Sequence, residues 1–307
     1  MNAVMFSQYG GPDVLYLAES PDPVPEPGEI LVDVHAASVN GADYKVRRGG
    51  GPHSAKFPHI LGRDFSGVVS ALGAGVDSFA VGDPVFGVLD RGQEGAYAEK
   101  LVVKAEIVVR KPDWLAHVEA AAVGLVGLTA IWAIEDTARL RSGETILIQG
   151  GAGGVAGFAI QLAHDIGATV ITTASAANQT YVSQLGATRV IDYSAEDFTK
   201  LGRICDVVFD TVGADVQVRS YEVLKPGGRL VWIAAAPEGF VPTRRDVEAV
   251  RPAVLRDRAH LQRIIDLLHS GAVTLPPIQR FPLSAAAEAH RISEGRHLRG
   301  KLVLEIR

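Results

Sequence analysis

The segment ILIQGGAGGVAGFAIQLA, residues 146 to 163, constrains the fold of this chain more than any other stretch. An apolar run ends near Gln149, Gly150, Gly151, Gly153 and Gly154 fill a turn, and a second apolar run starts near Val155. Strand, turn and helix in that order aim free backbone N–H groups and the positive end of a helix dipole at one point, which suits a pyrophosphate. Glycine lets the ligand approach the backbone where a side chain would block it. Counted as G-x-G-x-x-A, Gly151, Gly153 and Ala156 match a dinucleotide fingerprint, with Gly157 one place later. A G-K-[ST] sequence is missing from the turn, which argues against a nucleoside-triphosphate loop.

Downstream, ATVITTA, RVIDY, CDVVFDTVG and GGRLVWIAA read as strands separated by helical or short connections such as QTYVSQLG. That alternation predicts a mainly parallel sheet with helices on both faces. Upstream, EILVDVHAASV, FSGVVSAL, DPVFGVL and GAYAEKLVVK are short bursts bounded by Gly, Pro or Asp, the pattern of an antiparallel β-rich domain. The period changes from Val118, where EAAAVGLVGLTAIWAIEDTARL reads as one or two linking helices. AHLQRIIDLLHSG reads as a helix with Leu261, Ile264, Ile265 and Leu268 on one face, and the final strand is expected to return to the first domain. The chain is thus predicted to be α/β, with residues 1–120 and 268–307 in the β-rich domain and 121–267 in the nucleotide-binding domain. At 307 residues and 47% hydrophobic it can fill two cores.

Where a carboxylate would hold the adenosine ribose of NAD, about 20 residues past the glycines, the second strand ends in Ala174 and Ser175. With no carboxylate to repel a phosphate, NADPH is expected over NADH, with Ser175, Asn178 and Tyr193 as neutral partners of the 2′-phosphate. The turn residues Gly151, Ala152, Gly153, Gly154 and Val155 are expected on the pyrophosphate. Thr211, Val212 and Gly213 follow one strand, and Ile233 and Ala234 end another, where ligands of open parallel sheets gather.

A net charge of −5 and the lack of any Lys/Arg run longer than two residues give no footprint for nucleic acid. The N-terminal MNAVMFSQYGGPDVLYL does not read as a leader, and no run of 18 uncharged apolar residues occurs, so a soluble, cytoplasmic protein without a membrane partner is expected. The single cysteine, Cys205, excludes an internal disulfide and reads as a buried strand residue.

The blocks SVNGADYKVRRG (38–49), PHILGRDFSGVV (58–69), VGDPVFG (81–87), EGAYAEKLVV (94–103), GLTA (127–130), LGATRVIDY (185–193) and RGKLVL (299–304), with the glycine turn among them, run from end to end. In this order they resemble the zinc-independent quinone oxidoreductase family of the medium-chain dehydrogenases/reductases. The resemblance implies a GroES-like substrate domain built from both chain ends, a Rossmann domain between them, NADPH at their junction, Thr129 beside the nicotinamide, and a homodimer. Zinc-dependent relatives carry a Cys in the segment matching 38–43, a His in the segment matching Gly62-Arg63-Asp64, and a Cys ahead of Thr129. Here Asn40, Arg63 and an apolar residue around Leu125 stand instead, and no metal is expected.

Without a Lewis acid, hydride delivery to an electron-poor acceptor such as a quinone or an α,β-unsaturated carbonyl is favoured over alcohol oxidation. The group that meets the developing oxyanion is sought in NGADYK: Asn40 as an amide donor, Lys45 as an ammonium, Tyr44 as a proton donor. Arg63 and Asp64 are expected to pair with each other or with nearby loops, and Tyr97 to be structural. The segment 234–259, with Arg244, Arg245, Arg251, Arg256 and Arg258, reads as a polar loop with solvated arginines. Rival readings are an enoyl-thioester or polyketide-tailoring reductase and a non-catalytic NADPH-binding protein.

Overall fold

A computed structural model describes residues 1–50, 55–242 and 244–307. The chain divides into two compact units: Met1–Leu125 with Arg256–Asp266 and Leu275–Arg307, and Val126–Leu255 with Leu267–Thr274.

The first unit is β-rich. Its strands are β1 (Asn2–Phe6), β2 (Tyr16–Glu19), β3 (Glu29–Val39), β4 (His59–Ile60), β5 (Asp64–Leu72), β6 (Pro84–Val88), β7 (Lys100–Lys104) and β8 (Val108–Arg110), with the short helix α1 (Gly41–Arg47) after β3. In β3, buried residues alternate along the first half, and the last four are all buried. One face of a strand meets the core under the first pattern, and both faces are covered under the second. The alternating side chains Ile30, Val32 and Val34 pack with Phe6, Phe65 and Val85 in one core.

The linking segment folds as α2 (His117–Ile131), continued by a π-helical turn over Trp132–Thr137. Together these form a helix long and apolar enough to cross a membrane by composition, but 83% of its apolar window is buried inside the protein. Alanines and glycines let a core helix of this kind approach its neighbours closely.

The second unit holds β9 (Thr145–Gln149), α3 (Gly154–Asp165), β10 (Thr169–Ala174), α4 (Gln179–Gln184), β11 (Arg189–Asp192), β12 (Cys205–Asp210), α5 (Asp215–Ser220), β13 (Leu224–Trp232) and β14 (Glu248–Val250). They form a six-stranded sheet in the order β11-β10-β9-β12-β13-β14. Every adjacent pair is parallel. This is the 3-2-1-4-5-6 order of a dinucleotide-binding sheet, and the order reverses between β9 and β12. Strands covered on both faces read as continuous apolar runs, as in CDVVFD and TILIQ. Cys205 is buried in that sheet, and burial pushes its thiol up to about 12.

The chain then continues through α6 (Arg258–Ser270), β15 (Ile278–Pro282), α7 (Ala286–Glu294) and β16 (Lys301–Glu305). The strand β16 pairs with β3, so the final strand does return to the first unit. Two details differ from the sequence reading. Residues 256–266 belong with the β-rich unit, and 267–274 with the other. The reason is anchoring: Arg258 donates to the carbonyls of Val108 and Ala105 and lies over the Phe79 ring, and Arg256 donates to Leu89 O. On α6, moreover, Leu267 is buried with Leu261, Ile264 and Ile265, whereas Leu268 is only half-buried.

Candidate active site

In the second unit the strand ends at Gln149 and the helix starts at Gly154, so the turn is Gly150 to Gly153. Gly150 has φ +75°, a left-handed conformation that favours glycine. The turn is stitched to β10: Gly150 N donates to Thr173 Oγ1 at 3.0 Å and Gly151 N to Thr173 O at 2.9 Å. The Thr173 hydroxyl passes the link on to Gln149 Oε1 at 2.8 Å. From the other side, Thr211 Oγ1 donates to Gln149 O at 2.7 Å. Gly153 N closes the turn on Gly150 O at 3.1 Å. The N–H groups of Gly154, Val155 and Ala156 open α3, and a first helical turn has no intrahelical acceptor for them. No acidic residue stands in that first turn. This donor set and its helix dipole fit a pyrophosphate.

The expected third glycine position also has a structural reading. A Cβ on Gly151 would overlap Thr172 Oγ1, whereas one on Gly153 meets only Gly150 O at 3.5 Å. Gly151 is therefore required by packing on the sheet, and Gly153 leaves room above the turn. Ala156 is 1% exposed, so the last position of the G-x-G-x-x-A pattern is close-packed.

The carboxyl ends of the neighbouring strands gather the other candidates of this unit. Asn178 Nδ2 donates to Ser175 Oγ at 3.1 Å, and Tyr193 N reaches Ala174 O at 3.4 Å, so Ser175, Asn178 and Tyr193 cluster beyond β10 and β11. Thr211, Val212 and Gly213 form a turn capped by the buried Asp210 carboxylate, which accepts from Val212 N at 2.9 Å and Gly213 N at 3.0 Å. Burial raises the pKa of Asp210, and these two N–H groups oppose the rise. Ile233 N bonds Asp210 O at 3.0 Å, and a Cβ on Gly213 would come within 2.8 Å of Ala234 Cβ, which brings Ile233 and Ala234 to the same turn. Thr129 lies buried on α2.

In the first unit, Asn40 leads into α1 and sits in a buried polar network. Asn40 Nδ2 donates to Asp64 Oδ1 at 2.8 Å and to Ser38 O at 3.3 Å, while its Oδ1 accepts from Lys301 Nζ at 2.7 Å. Both amide hydrogens are thus committed inside the protein. The amide expected to donate to a substrate instead has Asp64 and Ser38 O as its acceptors in this structure. Asp64 Oδ2 further accepts from Ser38 Oγ at 2.8 Å and Leu125 N at 3.3 Å. Of the two pairings expected for Arg63 and Asp64, the structure shows the one with a nearby loop, through Glu94. Arg63 binds Glu94 at 2.9 and 3.1 Å and stands 3.8 Å from Asp43 Oδ1.

A second chain of hydrogen bonds meets the first at Asp43, which accepts from Asn40 N at 2.9 Å and from Tyr97 OH at 2.8 Å through Oδ2. Its Oδ1 is buried without a hydrogen bond. Burial, with Arg63 opposing and Glu94 adding, pushes the Asp43 carboxyl up to about 7. Gly62, with φ +96°, makes room for the Tyr97 ring. Tyr44 and Lys45 follow on α1 with opposite surroundings: Tyr44 is 9% exposed and Lys45 is exposed. Sequence reasoning missed Asp43 and His290, and gave Lys301 no role; a lysine opening an apolar strand, as in KLVLE, was the available signal.

The segment 234–259 contains the edge strand β14. Arg245, Arg251 and Arg258 are exposed, as the solvated reading expects, although Arg251 also lies over Trp232 and Arg258 is anchored as described. Arg244 and Arg256 differ: both are half-buried, and Arg244 donates to the carbonyls of Tyr221 and Leu224. Thr243 lies outside the described residues.

Comparison with known proteins places this geometry. The family described as "Alcohol dehydrogenase GroES-like domain" matches residues 26–113, and that described as "Zinc-binding dehydrogenase" matches 185–304. The chain is 34% identical to a quinone oxidoreductase of Pseudomonas aeruginosa over 98% of each chain. The structure of Escherichia coli quinone oxidoreductase complexed with NADPH superposes with a TM-score of 0.91 at 29% identity, covering 100% of both chains. A stretch forming 14% of a mycocerosic acid synthase-like polyketide synthase of Mycolicibacterium smegmatis is 35% identical over 92% of this chain.

The zinc in one of these descriptions does not fit the residues present. Asn40, Arg63 and Leu125 offer no thiolate, imidazole or carboxylate, and the Lys301 ammonium lies against Asn40, where it would repel a second cation. Among the described residues no three His, Cys, Asp or Glu side chains gather as a metal-holding group. A GroES-like β-rich domain, a Rossmann sheet of 3-2-1-4-5-6 order and end-to-end identity with oxidoreductases lead to one assignment: this chain belongs to the quinone oxidoreductase family of the medium-chain dehydrogenase/reductase superfamily.

Proposed function

We propose that the protein is an NADPH-dependent oxidoreductase that reduces a quinone or an α,β-unsaturated carbonyl without a metal. The observation that carries this reading is the glycine turn braced by Thr173 and Thr211, with the unsatisfied first-turn N–H groups of α3 at the point where the strand order reverses. NADPH, when bound, supplies the hydride. The chain's own part is to bind, orient and stabilise charge. Gly154, Val155 and Ala156, with Gly151, Ala152 and Gly153 below them, would hold the pyrophosphate. Ser175, Asn178 and Tyr193 would hold the 2′-phosphate with neutral donors. Thr129, Thr211, Val212, Gly213, Ile233 and Ala234 would border the nicotinamide half.

Lys45, exposed on α1, would stabilise the oxygen on which negative charge develops, with Tyr44 as an alternative hydrogen-bond donor. Homodimerisation and a soluble, cytoplasmic location complete the reading. An enoyl thioester as acceptor is the second reading, favoured by the polyketide synthase segment that the chain resembles.

The test is to mix purified protein with NADPH or NADH and a panel of quinones, enones and enoyl thioesters while following the absorbance of the reduced cofactor. Oxidation of NADPH by a quinone or enone is expected. Tight NADPH binding without turnover of any acceptor would make the protein a binding module instead. Unchanged turnover in Lys45→Ala would remove Lys45 from the chemistry, and one tightly held zinc per chain would end the metal-free reading.

A further inference from the structure

We propose that Lys301, from the last strand, is a positioning residue for the reaction: its ammonium fixes the Asn40 amide and with it the start of α1, which carries Tyr44 and Lys45. The inference rests on the reductase reading above.

Lys301 is 4% exposed and donates to Val39 O at 3.0 Å and Asn40 Oδ1 at 2.7 Å. A buried ammonium is costly unless it is hydrogen-bonded and its charge is answered. The answering carboxylate, Asp64, is reached through the Asn40 amide and not directly. An ammonium only donates and a carboxylate only accepts, so the amide between them has a single orientation. A flip would set the carbonyl oxygen against Asp64 and the NH2 against Lys301. The Asn40 backbone N–H is held in turn by Asp43 Oδ2. Side chain and backbone of the residue that opens α1 are therefore both fixed, from strands β5 and β16 and from α1 itself.

The strand register makes this possible. Leu302 pairs with Val39 across β16 and β3, which puts Lys301 beside Asn40 although 261 residues separate them. A one-residue slip would turn Lys301 to the opposite face. Burial pulls the ammonium below its usual pKa, while Asp64 and Asp43 oppose that pull.

Lys301→Met, Lys301→Arg and the wild type are compared for kcat and KM on the best acceptor, for NADPH Kd by fluorescence, and by NMR. Asparagine occurs only at positions 2, 40 and 178, so 15N-asparagine labelling reads the Asn40 side chain directly. In Lys301→Met, kcat falls about ten-fold while KM and Kd stay within about two-fold, and Arg restores part of the loss. The Asn40 side-chain amide, slow to exchange in the wild type, shifts and exchanges faster. Unchanged kcat and an unchanged Asn40 signal in folded Lys301→Met overturn the proposal. If Lys301→Met does not fold, Ser38→Ala loosens the amide's other anchor while leaving every charge; a lower kcat at constant KM supports the link, and unchanged kcat overturns it. If the wild type turns over no acceptor, the reductase reading fails, while the NMR comparison still decides whether Lys301 fixes Asn40.

Discussion

Arg47 NH1 lies 2.9 Å from Nδ1 of His290, a ring with no solvent exposure. A guanidinium only donates, so Nδ1 accepts and the imidazole proton sits on Nε2, 3.3 Å from Tyr97 OH. The Tyr97 hydroxyl then donates to Asp43, and Arg47 is itself held by Glu294 and by Gly10 O. A directed chain from cation to carboxylate crosses the β-rich unit, and it has consequences for pH.

Burial, with Arg47 beside it, holds His290 down to about 3. Burial, with His35 stacked on it and Lys111 adding, holds His117 down to about 4. Both folded-state values lie below the unfolded value near 6.5, so below that pH the unfolded chain takes up protons that the native chain refuses. The part of stability that depends on these two histidines is therefore full above about pH 6.5 and falls as the pH drops toward 4 and below, with His290 alone accounting for on the order of 5 kcal/mol. Urea unfolding at several pH values checks this. His290→Gln, which retains an acceptor for Arg47 and a donor for Tyr97, flattens the acid limb.

Asp43 has the opposite sign. Its folded pKa of about 7 lies above the unfolded value, so its contribution to stability is greatest below about pH 4 and is lost as the pH rises through 7. A carboxyl carbon titrating near neutrality in the 13C spectrum, absent in Asp43→Asn, is the expected signature. An Asp43 carboxyl that titrates in the ordinary carboxylate range would refute it.

Gly151 and Gly153 should separate packing from ligand approach. Gly151→Ala drives a methyl group into Thr172 and lowers stability by about 2 kcal/mol. Gly153→Ala has room in the free protein, so its melting temperature is retained while NADPH affinity falls about ten-fold or more. Thermal melts paired with cofactor fluorescence titrations distinguish the two. Equal effects of both substitutions on stability would contradict the assignment.

Ser175 and Asn178 should govern the choice between NADPH and NADH. Ser175→Asp brings a carboxylate to the end of β10, where it repels a 2′-phosphate and accepts from a ribose hydroxyl. The ratio of NADPH to NADH dissociation constants is expected to move about ten-fold or more toward NADH. An unchanged ratio would place the 2′-phosphate elsewhere.

The Rossmann half was legible because its signals are local. Strand ends, glycines and helix starts around Gln149 and Gly154 follow from conformational preferences over a few residues, and buried parallel strands announce themselves as apolar runs. The half-buried arginines Arg244 and Arg256 were not legible, since a guanidinium anchored on carbonyls such as Leu89 O, reached only across the tertiary fold, has the same one-letter code as a solvated one.

By itself the sequence determined two domains, a nucleotide turn of known spacing and the residue types around Asn40. The tertiary structure alone decided which partners those residues meet. Asn40 looked like a free donor because its partners, Asp64 and Lys301, lie 24 and 261 positions away and meet it only when β5 and β16 pair with β3. Burial then makes each of these polar groups depend on the others, and that dependence, set by strand register, has no counterpart in local sequence.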